Sequence, residues 1–207
     1  MLQKISNADE TGIFFMMKQN RSFVFKDETA SGGKQAKQRL TVLLCSNMSS
    51  TEKLPLLAIG KSKKPRCFKG IKTLPDNYKN NSKLWMISSI FEELLRCLDK
   101  QMTIKHRKIV LVIDNCTAHP EIKGLKSITV ECFPPNVTSI LQLLDQGVIM
   151  SLKRNYRKLR SRKIVSALDE GEDNKVEILT ALHLSKAACN DVTENTMKNC
   201  FRHAGFK

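Results

Sequence analysis

Asp9, Asp114 and Asp145 are the residues whose type and spacing could do chemistry. Asp9 stands in Asn7-Ala8-Asp9-Glu10-Thr11-Gly12, after a short strand-like start. Asp114 ends Lys108-Ile109-Val110-Leu111-Val112-Ile113, the most apolar stretch of the chain. Asp145 lies in Leu144-Asp145-Gln146-Gly147, just before an amphipathic and very basic helix. Cleaving a phosphodiester needs an activated water, a stabilised pentavalent transition state and a stabilised leaving oxygen. Two divalent ions about 3.5–4 Å apart supply all three. Mg2+ prefers hard oxygen ligands and keeps several waters, so a few short, stiff aspartates suffice to hold it. Without metal, three neighbouring carboxylates would repel one another, and at least one pKa should rise. Taken singly, each aspartate reads better as a helix cap or turn residue.

The charge of the chain points to the same chemistry. Its 207 residues hold 35 Lys and Arg against 20 Asp and Glu, a formal net charge of +15. A polyanion is the partner such a surface favours, because binding phosphates releases condensed counterions. Lys61, Lys63, Lys64, Arg66, Lys69 and Lys72 form a basic run uninterrupted by acid. Lys153, Arg154, Arg157, Lys158, Arg160, Arg162 and Lys163 crowd the helix after Asp145. Of these, Lys61, Lys63, Lys64, Arg66, Lys69, Lys153, Arg154, Arg157 and Lys158 are the expected DNA contacts, the alternative being a merely solvated face. Neither patch carries an evident base-reading element, so phosphate contact without strong sequence choice is expected.

The elements that must position these groups are legible from periodicity. Ile13–Met17 and Ser22–Phe25 suggest a hairpin after Asp9. Arg39–Cys45 and Leu54–Ile59 read as strands, with Pro55 confined to an edge or a first position. Leu84, Ile87, Phe91, Leu94, Leu95 and Leu98 repeat at helical spacing, which also places Trp85 and Phe91 in a helix core. The apolar run to Ile113 reads as a strand covered on both faces, and Ile128–Cys132 as a half-buried one. Val148, Leu152, Tyr156 and Leu159 form the stripe of the basic helix. After the acidic Asp169–Asp173, helices are expected over Val176–Ala188 and Thr193–His203, stopped by Gly205. The fold expected is α/β, a mixed sheet flanked by helices, with residues 1–168 as the domain and 169–207 as an acidic linker and helical tail. Asp9 and Asp114 meet only if their strands are adjacent and parallel.

Other reactive residues offer less. The seven cysteines are odd in number, scattered and without a secretory leader, which fits reduced thiols in the cytosol or nucleus. Cys116 with His119 and Cys200 with His203 have ligand-like spacing, but each is a lone pair where zinc normally wants four ligands, so buried thiols are expected. His119 borders the site and could orient a water or contact phosphate, or be an ordinary loop histidine. Glu10 should face away from Asp9, since adjacent strand residues alternate. No apolar run approaches the ~20 residues a membrane helix requires, so a soluble protein is expected.

Several stretches together resemble the DDE superfamily endonuclease domain of pogo/Tigger-type transposases, the group that includes jerky-like proteins and centromere protein B. They are Asp9-Glu10-Thr11-Gly12; Arg39-Leu40-Thr41-Val42; Leu54-Pro55 through Ile59-Gly60-Lys61 to Cys67-Phe68; Leu84-Trp85-Met86; Asp114-Asn115 with His119-Pro120; Pro134-Pro135-Asn136 with Thr138-Ser139; and Leu141-Gln142 with Asp145-Gln146-Gly147-Val148-Ile149. The tail Asn199–Phe206 continues the match. The resemblance implies an RNase H-like core with an acidic triad at Asp9, Asp114 and Asp145, the last two separated by 30 residues. It implies Mg2+- (or Mn2+-) dependent strand cleavage by water, with two ions, then strand transfer using a DNA 3′-hydroxyl. It also implies DNA as partner, a nuclear location, and helix-turn-helix domains upstream that these residues do not include; a homodimer is a further expectation. Leu143 stands where the family usually has proline, and Cys189 where tryptophan is common.

The leading expectation is therefore a transposon-derived domain that binds DNA and cuts it with metal. Its rival is a domesticated, catalytically silent nuclear DNA-binding or scaffold protein whose aspartates persist by inheritance. A metal phosphatase on another α/β fold is a third alternative.

Overall fold

The structure is a computed structural model, and it describes residues 4–16, 38–134, 144, 147–172 and 175–205. Six strands form one mixed sheet. In chain order they are β1 (Ile5–Ile13), β2 (Leu40–Asn47), β3 (Leu57–Gly60), β4 (Asn77–Asn80), β5 (Ile109–Ile113) and β6 (Ile128–Cys132). Helix α1 (Ser88–Ile104) joins β4 to β5, while α2 (Val148–Asp169), α3 (Ile178–Asn190) and α4 (Glu194–His203) follow the sheet. The spatial order is β4-β3-β2-β1-β5-β6. β1, β2 and β3 pair antiparallel, whereas β1–β5, β5–β6 and β3–β4 are parallel. The mixed sheet with flanking helices is thus as the patterning predicts.

Two apolar layers sandwich this sheet. On one face Phe91, Leu95, Leu98 and Met102 of α1 pack against Ala8, Leu43, Leu57, Leu111 and Ile113. On the other, Leu152 and Tyr156 of α2 and Ala181, Leu182 and Ala188 of α3 pack against Ile13, Leu40, Val42 and Leu44. Alternation along each strand divides residues between the layers. β5 is covered on both sides, as its unbroken apolar run requires: Leu111 and Ile113 face α1, while Val112 meets Phe201 of α4. Lys53 ties the β2–β3 connection to the end of α3, donating to the carbonyl of Cys189 (2.8 Å) in its last turn, which a helix C-terminus otherwise leaves unsatisfied, and to that of Val192 (2.7 Å) just beyond it. Thr193 caps α4 by accepting from the Thr196 amide, and Gly205 ends it with φ +86°.

Three local expectations need correction, and one strand was not expected. Asp9 does not follow a strand; it lies within β1, which continues to Ile13, and the second arm of the expected hairpin (Ser22–Phe25) lies outside the described residues. The first helix begins at Ser88, because Leu84 has φ +59° and its carbonyl accepts from the Thr41 hydroxyl. Trp85 is consequently not in the helix core but 52% exposed, with the Arg39 guanidinium 4.0 Å above its ring, whereas Phe91 is fully buried as expected. β4, Asn77-Tyr78-Lys79-Asn80, is an edge strand with no apolar alternation to reveal it.

Candidate metal centre at the strand ends

The parallel pairing of β1 with β5 decides where the first two aspartates lie. Its register runs Ile5↔Val110, Ser6↔Leu111 and Asn7↔Val112, and Asn7 Nδ2 donates to the Val112 carbonyl (2.9 Å). That pairing ends there; Asp9 lies two residues further along β1, and Asp114 follows the last residue of β5. Asp9 pairs across with Leu44, and Glu10 with Leu43. Residues directly opposite in a sheet share a face, so Asp9 lies on the α2–α3 side and Glu10 on the α1 side. Asp145 lies outside the described residues. Its described neighbours Leu144 and Val148 are buried in the cluster that contains Leu44 and Ile13, the face Asp9 shares. A side chain at Gly147 would crowd Cys200 Sγ, so α4 fixes how closely that segment approaches.

Glu10 and Asp114 are joined through a residue that spacing alone left undecided. His119 Nε2 lies 3.0 Å from Glu10 Oε1, and Nδ1 lies 2.7 Å from Asp114 Oδ1. Only 5% of the His119 side chain is exposed, and its ring packs at 4.4 Å on Phe91 of α1. Burial opposes a charge on the imidazole, but the two carboxylates override it and push the pKa up to about 10. In return, His119 holds the Asp114 carboxyl below the usual range despite partial burial. The cation beside it thus lowers the Asp114 pKa. Glu10 does face away from Asp9, and its carboxylate meets His119 Nε2 instead.

Cys116 completes a third side of this arrangement. Its Sγ lies 3.3 Å from His119 Nδ1, and the His119 amide donates to the Cys116 carbonyl (3.0 Å), closing a tight turn. Asp114, Cys116 and His119 present ligand atoms within 4.8 Å of one another, the one such trio among the described residues. Cys116 with His119 is thus not a lone pair. Burial pushes the Cys116 thiol up, so it is no activated nucleophile. Cys200, by contrast, is a buried core thiol, as expected.

The basic residues lie at the surface. Lys61, Lys63, Lys64, Arg66, Lys69, Lys72, Arg154, Arg157 and Lys158 are exposed and Lys153 is half-buried. The loop carrying the first group is anchored beneath: the Tyr78 hydroxyl donates to the Ser62 carbonyl (2.7 Å), and Phe68 meets the Tyr78 ring edge-on at 4.9 Å. Gly60 is the close approach that permits this, since a β-carbon there would overlap the Tyr78 ring and hydroxyl. Phe68 also packs against the cluster containing α2 and α3, so both basic groups belong to the side of the sheet that Asp9 faces.

Residues 37–201 match the family described as DDE superfamily endonuclease. The chain belongs to that family. Tigger transposable element-derived protein 4 of Mus musculus is 40% identical over 205 residues, covering 99% of this chain and 40% of the relative. Major centromere autoantigen B of the same species is 34% identical, covering 99% of this chain and 34% of the relative. The human Jerky protein homolog is 34% identical over 74% of the chain. The chain spans two fifths or less of each of these relatives. A solved structure, the Mos1 Strand Transfer Complex, superposes with a TM-score of 0.57 at 10% identity, covering 98% of this chain and 52% of that one. The fold of this DDE domain is accordingly RNase H-like, and the domain is of transposase-derived, pogo/Tigger type. No described helix is long and apolar enough to cross a membrane.

Proposed function

We propose that this DDE domain binds DNA and cleaves its phosphodiester backbone, with Asp9, Asp114 and Asp145 as catalytic and metal-holding residues. The observation that supports this reading is the parallel β1–β5 pairing, since Asp9 lies two residues beyond its last pair, Asn7↔Val112, and Asp114 two residues beyond on the neighbouring strand. Ligands of open α/β sheets gather at that end. The donors are hard carboxylate oxygens, which fit Mg2+ or Mn2+. When bound, two such ions would supply an activated water and neutralise charge at the leaving oxygen. Asp9, Asp114 and Asp145 would hold them. His119, fixed by Glu10, orients the Asp114 carboxylate. Lys61, Lys63, Lys64, Arg66, Lys69, Lys153, Arg154, Arg157 and Lys158 would neutralise DNA phosphates. A DNA 3′-hydroxyl replaces water in a strand-transfer step. The natural setting of such a protein is the nucleus.

The test is nicking of supercoiled DNA by the purified chain with Mg2+ or Mn2+. Asp114→Asn should lower it by at least about 100-fold, since even outer partners of metal ligands are worth 10–100-fold. Equal nicking by both proteins would refute the assignment. DNA affinity should fall about 10³–10⁵-fold between 50 and 200 mM salt if 6–10 phosphates are engaged. A second reading, DNA binding without cutting, is favoured by one feature: Asp114 is already committed to His119. Salt-sensitive binding with no nicking in the parent would select it.

A further inference from the structure

We propose that Asp114, Cys116 and His119 form a binding site for a soft transition-metal ion of the zinc class. The donors differ in kind from those a hard cation selects. A thiolate, an imidazole and a carboxylate suit Zn2+, whereas Mg2+ takes oxygen. All three come from one six-residue turn after β5, closed by the His119-to-Cys116 backbone bond. Both Oδ1 of Asp114 and Sγ of Cys116 converge on the same ring nitrogen, at 2.7 and 3.3 Å.

The orientation of His119 is what makes this a prepared site. Its Nε2 is tied to Glu10, and Phe91 packs on its ring, so Nδ1 is aimed at the other two donors. A carboxylate on the distal nitrogen is the arrangement that fixes ring and tautomer in metal-bound histidines. Zinc bond lengths of about 2.0–2.3 Å place tetrahedral ligand atoms about 3.3–3.6 Å apart. Sγ and Nδ1 already stand at that spacing. Asp114 would retreat by a little over half an ångström, and its side chain, 35% exposed, has room to do so. Binding releases the thiol proton of Cys116 and the proton on Nδ1 to solvent. Three protein ligands leave a fourth position open.

Asp114 belongs to this trio and, on the reading proposed above, to the acidic triad. A zinc-class ion drawing on Asp114 Oδ1 would compete with the hard cation for that carboxylate and so lower cleavage. That consequence alone rests on the proposed function; the binding does not. The full chain would be titrated with Co2+ alone, then with Zn2+. The expected result is a thiolate-to-cobalt charge-transfer band at one Co2+ per chain, lost on adding Zn2+. The band should vanish in Cys116→Ser and persist in Asp9→Asn and in Cys97→Ser, which alters an exposed thiol of α1. Alkylation of the unaltered chain, with modified cysteines mapped by mass, gives a second measure that needs no variant: Zn2+ should protect Cys116 at least 10-fold. No band in the parent, a band surviving in Cys116→Ser, or unprotected Cys116 would overturn the site. If nicking is observed, Cys116→Ser should need at least 10-fold more Zn2+ for half-inhibition, each protein normalised to its own Mg2+ rate. Equal sensitivity would overturn the shared-ligand claim. A cobalt band without any nicking leaves the site standing and removes the cleavage assignment.

Discussion

Two carboxylates, one against the start of β6 and one at the end of its parallel neighbour β5, are held in opposite ways. Asp99 of α1 is buried at the corner where that helix meets β6, and it accepts from the backbone amides of Lys126 (3.0 Å), Ser127 (2.7 Å) and Ile128 (3.1 Å). Asp114 is half-exposed in the turn after β5, and its side-chain partner is an imidazole that can release its proton. Backbone amides cannot. A carboxylate satisfied by main chain fixes a corner of the fold, whereas one balanced by a single ionisable side chain can exchange that partner for an ion.

The largest expected effects separate the two residues. Asp99→Ala leaves three amides without their acceptor, each worth about 1–3 kcal/mol when stranded, so unfolding free energy should fall by about 3 kcal/mol or more. Denaturant melts would read it; a loss under about 1 kcal/mol would mean that water substitutes and the corner is not structural. Asp114→Asn should show the reverse balance, a cleavage loss of at least about 100-fold with a smaller stability cost than Asp99→Ala, because Glu10 still faces His119. A large destabilisation at Asp114 would erase the contrast.

Acid sharpens the same contrast. Burial alone would raise the Asp99 pKa, but the three amides hold it below the usual carboxylate value. A group whose folded pKa is depressed stabilises above its unfolded value, about 3.9, and loses that contribution as pH falls through the folded one. The parent should therefore lose stability progressively below about pH 5, and Asp99→Asn should lose less over that range. Parallel acid melts of the two proteins would expose the error if their slopes coincide.

What the sequence disclosed follows the same division between repeated and singular interactions. β5 was legible because five apolar residues covered on both faces leave a continuous run, and the stripe Val148, Leu152, Tyr156 because a helix buries every third or fourth residue. The Asp9–Asp114 pairing was legible only as a condition, since sheet order leaves no local mark. Family resemblance, not spacing, singled out those aspartates. The Glu10–His119–Asp114 bridge was not legible, for it joins residues 109 apart in the chain. Its signal was the proximity of Cys116 and His119 to Asp114, which counting two ligands at a time discards. β4 was hidden because an edge strand with one partly buried tyrosine needs no alternation.

The smallest effect is expected where periodicity misled. Trp85 shares helical spacing with its neighbours but lies before α1, half in solvent, against Arg39. An exposed cation–π contact is worth about 0.5–1 kcal/mol, so Trp85→Ala should cost no more than about 1 kcal/mol. Phe91→Ala, which empties the core beneath α1 and removes the floor under His119, should cost about 3–5 kcal/mol. Equal costs in thermal melts would restore Trp85 to the core. The same pair also probes the turn after β5: Phe91→Ala frees the His119 ring and should blunt the orientation of Asp114, while Trp85→Ala touches neither. Nicking rates that fall with Phe91→Ala but not with Trp85→Ala, under conditions where both stay folded, would tie the helix core to the reactive turn.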